Sequence, residues 1–577
     1  MRKYDEPMAG PGIAIDPTTP ARRRFALGLI VVVLAAAAAV YGRALPYPFN
    51  RDDDFHFVWM GERWARPPAR LLDHFREDFW GGITPGCGLY RPLTAVTIQA
   101  TAWWKGLDPL PLRAGNLLLH ALVALAAAAL ARRGGATRAG AALLALLIVA
   151  HPLLSEDVLE VVSRSEIQAT LGTLAAAALL VGGRVGPGAA IGSALFFTFG
   201  LLSKEGASAA LPALLVLLIR PRADSKGKPD DRGIRAIAAF LLIGSLAAVL
   251  ALRSRVLGGF FGLDTTAVPM LDNAVIDEPF VVRLLTGVAN LGRYLALVAA
   301  PVSLSTDYSY AAIVPLRGIA DRNLVIGALA LLLGGAWLVT AWRRGRRVEA
   351  FGLLLAGSSW FLISSIVFPI GTLFAERLFH MPACGLLVAA VAGLDRLVST
   401  RCGSAARRTV LAAGALAVVA LGARSWVRAG DWRDKLTLYT RALEVVPDAA
   451  RVHCTVGQLL RQAHREGEAR PRIERALEIV PTYRQALSEI GILDFERAGT
   501  TFETPALARS YVWFWLADHA LGAGPMEHNN FQQVAGVVQR TGLPRAEITR
   551  AARSIADARR DLPLYERMRQ SLAPDGR

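Results

Sequence analysis

The chain has 577 residues, of which 53% are hydrophobic and only 19% charged, with a formal net charge of +17 and a mean hydropathy of +0.37. Length alone would suggest several soluble domains, but this composition dissolves much of the chain in lipid. The basic residues gather in short connections between apolar runs, which fits the positive-inside rule better than nucleic-acid binding, and the four scattered cysteines (Cys87, Cys384, Cys402, Cys454) argue against a zinc or disulfide framework.

In chain order, a basic front at Arg22, Arg23 and Arg24 precedes an apolar run without a clear cleavage site, read as an anchored first span rather than a removed signal. Apolar runs then recur near 25–42, 113–131, 139–154, 167–183, 188–202, 207–219, 236–252, 323–342, 350–368, 378–396 and 409–424. Alternation from a cytoplasmic N-terminus places Arg132, Arg133 and Arg138, then "RPRADSKGKPDDRGIR", then "WRRGRR", then Arg401, Arg407 and Arg408 on the cytoplasmic side. The segment 284–301 would break that parity as a span and is expected to be re-entrant or interfacial. The prediction is therefore an all-α polytopic protein of about eleven spans: a cytoplasmic tail over 1–24, a transmembrane domain over 25–424 with a long outer loop at 43–112, and an extracytoplasmic domain over 425–577.

The last region is helical and soluble in character. Pro447 and Pro481, Ala442 and Ala476, and Gly457 and Gly491 are each 34 residues apart, the period of tetratricopeptide repeats. In the middle repeat Gly457, Ala469, Ala476 and Pro481 occupy the small-residue and turn positions. Such arrays present a groove to extended peptides; ordinary helical hairpins with chance spacing are the alternative against which the tetratricopeptide reading is preferred.

The polar chemistry is expected on one side of the membrane. The outer loop opens with "NRDDDFHF", placing Asp52, Asp53 and Asp54 in succession, followed by Phe55, Phe57, Trp59, Trp64, Phe75, Phe79 and Trp80. Adjacent carboxylates raise one another's pKa and can act as a general base or hold a metal; a solvated acidic run is the ordinary alternative. The same face carries "YRPL", "HPLLSEDVLEVVSRSE", "LLSKEG", "PMLDNAVIDEPF" and "AERLFHMP".

"FNRDD", "DFWGG", "YRPLTAVTIQ", "NLLLH", "HPLLSEDVLEVVSRSE", "LLSKEG", "RYLALVAAPVSLSTDYSY" and "AERLFHMP" occur in an order that resembles the transmembrane and tetratricopeptide-repeat-containing protein O-mannosyltransferases and their bacterial relatives, members of the GT-C glycosyltransferases. The resemblance covers roughly 45 to 500. It departs at Arg51, where the family has an aromatic or small residue, at the added Asp54, and at "MPACG". It implies transfer of a sugar, mannose or another hexose, from a polyprenyl-phosphate carrier to a protein or glycan acceptor outside the cytoplasm, in the cytoplasmic membrane if the chain is bacterial.

In that chemistry Asp52 or Asp53 is the candidate base, and Asp52, Asp53 and Asp54 are the candidate ligands if a divalent ion such as magnesium or manganese takes part. Arg91, Lys204, Arg293 and Arg377 are candidate cations for the departing phosphate; interfacial snorkelling is the alternative for each. Glu205 belongs to the same "SKE" motif as Lys204, and Glu376 adjoins Arg377 either as a site residue or as its structural ion-pair partner. His120, inside an apolar run, reads equally as a satisfied core histidine. His151 starts its loop, and Glu156, Arg164, Glu166 and Asp307 are candidates to contact sugar hydroxyls or acceptor. The competing reading is a non-enzymatic membrane scaffold whose repeats recruit partners. A transporter would place polar groups in the span midplanes, where the sequence has few.

Overall fold

The computed structural model describes residues 20–81, 88–182, 184–219, 231–259, 270–501, 503–521, 523–559 and 562–572. Most of the predicted cytoplasmic tail, most of the "RPRADSKGKPDDRGIR" connection and Cys87 lie outside them. The described residues are mostly helical and contain no strand, and the protein is an all-α polytopic membrane protein.

Among the described residues, seven helices are long and apolar enough to cross a bilayer: Pro20–Ala44, Pro109–Arg133, Arg232–Leu257, Phe280–Ala299, Arg322–Arg343, Glu376–Arg401 and Ser404–Asp431. An eighth crossing follows if Arg138–Ala150 and Pro152–Leu159, bent by 55° at His151, count as one. The other apolar runs form shorter helices, among them Arg164–Leu180, Pro187–Ser203, Leu211–Ile219 and Arg347–Ile363. Close packing rests on small residues. Adding a Cβ at Gly352 would bring it within 2.5 Å of the Gly385 carbonyl, and one at Gly172 within 2.5 Å of the Phe196 carbonyl, so these helix pairs touch backbone to backbone.

Phe280–Ala299 has the length of a span, yet both its flanks meet the same cluster of loops. Before it, Asp272 pairs with Arg451; beyond it, Asp307 lies 3.6 Å from the same guanidinium, and the Ser305 amide donates to Glu376 at 2.6 Å. Within it, the His151 ring lies 3.0 Å from the Val298 carbonyl, and Gly287 sits against Ile366 and Ser364. The helix nevertheless packs closely on Arg322–Arg343, where an added Cβ at Gly292 or Gly327 would strike the Asn323 or Val288 carbonyl, and it passes the same length and apolarity test as the other candidate spans.

The long helix Ser404–Asp431 leads into a C-terminal region whose described residues form eight further helices between Lys435 and Leu572. Most neighbours in sequence pack on one another around a second hydrophobic core, and Arg545–Asp557 packs back on Thr504–His519. Ala442, Gly457, Ala469, Ala476 and Gly491 are all buried there. A Cβ on Gly457 would meet Ile473 at 2.5 Å, which is why that position excludes any larger residue.

Candidate active site

Three buried polar side chains on the bundle fix the backbone under the acidic stretch. Arg113 donates to the Leu159 carbonyl at 2.7 Å and to the Pro48 carbonyl at 2.8 Å, joining the start of the outer loop to the segment after His151. Asn116 donates to the carbonyls of Asp157 and Glu160 at 3.2 and 3.0 Å. Arg164 donates to Asn116 Oδ1 and to the Leu112 carbonyl, both at 2.8 Å. Residues 155–164 are thereby held with two amides, those of Val161 and Val162, pointing at the loop.

Those amides meet Asp53. Its carboxylate accepts from Val161 at 2.7 Å and from Val162 at 3.0 Å and is wholly buried. Burial and the Glu160 charge push its pKa up to about 8, against Arg113 and the two amides. Asp52, one residue earlier, keeps 46% of its side chain exposed. Burial in the crevice would raise its carboxyl, but Arg51 and then Arg377 outweigh that and hold it below the ordinary carboxylate value. Asp54 points a third way and pairs with Lys435 at 2.6 Å, at the start of the C-terminal helices. Arg51 takes a left-handed backbone, φ 53°, and pairs with Glu156 at 2.5 Å and Glu160 at 3.6 Å.

Arg377 completes this group. It pairs with Glu156 at 2.7 Å and lies 4.0 Å from Asp52. It does not pair with Glu376, the partner its neighbour in sequence suggested. Glu376 is fully buried, accepts from the Tyr308 hydroxyl at 2.8 Å, and lies 3.9 Å from Arg428. A second basic cluster lies nearby, with its charge felt at Arg377: Arg91 forks onto Glu205 at 2.7 and 3.1 Å, and Lys204 pairs with Glu166.

The structure places the other expected residues outside this ion-pair group. Arg164 spends its guanidinium on the scaffold described above. Arg293 donates to Asn290 of its own helix at 2.9 Å, while its neighbour Tyr294 stacks between Phe374 and Phe379, with ring centroids 4.0 and 4.3 Å away, and so braces the "AERL" loop. His120 is fully buried, edge-on to Tyr41 and His380. Asp307 caps its own turn through the Ser309 amide at 2.7 Å and faces Arg451. The residues the sequence reading passed over are Glu160, Tyr294, Tyr308, Tyr439 and Arg451. Glu160 stands four residues after Glu156, a helical spacing that carried a signal; Arg451 and Tyr439 sit in a region with no readable chemistry.

The three consecutive carboxylates do not converge on a shared point, and among the described residues no cluster of histidine, cysteine and acid side chains is arranged to hold a metal ion. Between Asp52, Glu156 and Glu160 the space is taken by the guanidiniums of Arg51 and Arg377. The Asp52–Asp53–Asp54 ligand set therefore does not fit a divalent ion as folded.

Comparison with known proteins adds one line of evidence. Protein O-mannosyl-transferase TMTC1 of Homo sapiens is 27% identical over 528 residues, covering 83% of this chain and 59% of the relative. The chain resembles protein O-mannosyl-transferases over most of its length. Protein O-mannosyl-transferase F38B6.6 of Caenorhabditis elegans is 24% identical over 430 residues, 72% of this chain and 58% of its own length. Protein O-mannosyl-transferase Tmtc3 of Drosophila melanogaster is 25% identical over 479 residues, 72% of this chain and 51% of its own. The chain thus spans between about half and three fifths of the length of these three relatives. No family model matches it, and no solved structure does.

Proposed function

We propose that this protein is a membrane glycosyltransferase of the GT-C type that moves a hexose, mannose by analogy with the names of its relatives, from a polyprenyl-phosphate carrier to a protein hydroxyl on the extracytoplasmic side. The observation that carries the reading is the pairing of an accessible carboxylate with a guanidinium: Asp52, ionised and half-exposed, lies 4.0 Å from Arg377. Transfer needs a base for the acceptor hydroxyl and a cation for the phosphate that leaves. Asp52 is suited to accept the proton. Arg377, still paired with Glu156 on its other side, is suited to bind a phosphate oxygen, with Arg91 and Lys204 as further donors. Asp53 is the positioning acid. Its bonds to Val161 and Val162 fix the turn that aims Asp52.

The C-terminal helices, as a tetratricopeptide-type domain over 425–577, would hold the acceptor polypeptide. This assignment needs them on the same side as the acids, so a phosphatase fused at residue 577 should be active outside the cytoplasm. The scaffold reading is disfavoured by the Asp52, Arg91, Lys204 and Arg377 set being complete. The decisive experiment offers the purified protein a panel of polyprenyl-phosphate sugars with a mixture of acceptor proteins and reads hexose addition by mass spectrometry. Hexose on Ser or Thr, dependent on one donor, supports the proposal; no transfer from any donor, with the protein folded, overturns it.

A further inference from the structure

The C-terminal helices do more than neighbour the acidic crevice. Asn50, two residues before Asp52, donates to the Trp432 carbonyl at 2.7 Å, and Asp54 pairs with Lys435. The backbones join directly: the Ala450 amide donates to the Tyr310 carbonyl at 2.9 Å, and the Ala311 amide to the Asp448 carbonyl at 3.2 Å. Arg451, on the second of these helices, pairs with Asp272 and lies 3.6 Å from Asp307. Beside Asp307, Tyr308 packs against both hydrophobic cores and places its hydroxyl 2.8 Å from Glu376, the residue before Arg377. A continuous chain of contacts therefore runs from Arg451 through Asp307 and Tyr308 to the "AERL" loop.

We propose that the first pair of C-terminal helices forms one wall of the catalytic crevice, and that Arg451 is a positioning residue for the transfer reaction, acting on Arg377 through the Asp307–Tyr308–Glu376 strap and on Asp52 through its charge. The proposal rests on the glycosyltransferase reading above and gives the C-terminal helices a part in the chemical step, beyond holding an acceptor. Two opposed carboxylates from separate loops fix the guanidinium, whose charge helps, after Arg51, Arg377 and His56, to hold the Asp52 carboxyl down. The groups acting on Asp52 are then Arg51 on its own turn, Arg377 and His56, Glu160 from the facing segment, Tyr439 from the first C-terminal helix, and Arg451 from the second.

The test compares Arg451→Ala and Arg451→Lys in the full chain, with a short acceptor peptide too small to span the helical array. Arg451→Ala should lower kcat at least tenfold, leave KM for the short peptide within about twofold, and move the acid limb of the kcat/KM profile to higher pH, because Asp52 loses a neighbouring cation. Arg451→Lys should restore the limb. Should Arg451→Ala fail to fold, Asp272→Asn, which loosens the guanidinium without removing it, should lower kcat with a smaller shift of the limb. A fall in affinity for long acceptors alone, with kcat and the pH profile of the short peptide unchanged, would overturn the proposal and leave Arg451 a docking residue. Absence of transfer by the unmodified chain would instead refute the function itself.

Discussion

Replacing Asp52 and Asp53 separately by Asn distinguishes working acid from structural acid. Asp53 accepts two backbone amides in a site with no exposure. Asn retains one acceptor oxygen and turns an NH2 group toward the second amide, so one bond is lost and a buried N–H is left facing a donor. The lost hydrogen bond and the unsatisfied amide together cost about 2–4 kcal/mol of stability. Asp52 has half its side chain open and one ion-pair contact at 4.0 Å, so Asn there should cost less than about 1 kcal/mol of stability. Its effect should fall on turnover, about a hundredfold to ten-thousandfold, because Asn cannot accept a proton. Thermal unfolding of each purified full-length variant gives the first quantity, and hexose transfer at saturating donor gives the second. A stable, inactive Asp53→Asn beside a stable, active Asp52→Asn would reverse the assignment and refute the reasoning from burial.

Arg377→Ala should cost about 2–4 kcal/mol in transition-state stabilisation, read as kcat/KM for the donor, while stability changes little because Arg51 still pairs with Glu156 at 2.5 Å; unchanged donor use would make Arg377 a structural residue. His56 stacks on Trp80 with centroids 4.4 Å apart, and burial lowers its pKa to about 4 from the usual 6.5. The unfolded chain therefore binds the extra proton between pH 6.5 and 4, and on the order of 3 kcal/mol of stability, complete above pH 6.5, should be lost as pH falls through that window; unfolding followed against pH should show this slope flattened in His56→Gln. Asp54→Ala and Lys435→Ala remove a partly exposed pair and should each cost about 1 kcal/mol or less, with turnover within a few-fold of the unmodified chain; loss of activity in Asp54→Ala alone would put that acid in the chemistry.

Some of this was legible from residue order alone. Apolar runs of bilayer length require helices, since backbone groups in lipid must bond within their own segment, and so the all-α membrane bundle followed from composition and periodicity. The spacing of Ala442, Ala476, Gly457 and Gly491 marked the small positions where C-terminal helices come together. The motif loops "YRPL", "SKE" and "AERL" were also found from sequence, because short polar islands between apolar runs stand out. The partner of each charge was not. Arg377 pairs with Glu156, 221 positions away, and not with adjacent Glu376; Arg91 pairs with Glu205, 114 away. Those distances are closed by helix packing, which residue order does not encode locally. The three acids show the limit most directly. Successive residues in a helical turn point about 100° apart, so Asp52, Asp53 and Asp54 face the crevice, the buried amides and the C-terminal helices. Sequence set Asp54 apart as the added acid but left Asp52 and Asp53 interchangeable; only the tertiary structure, by surrounding each with different dipoles and charges, decided that Asp52 stays accessible while Asp53 is buried.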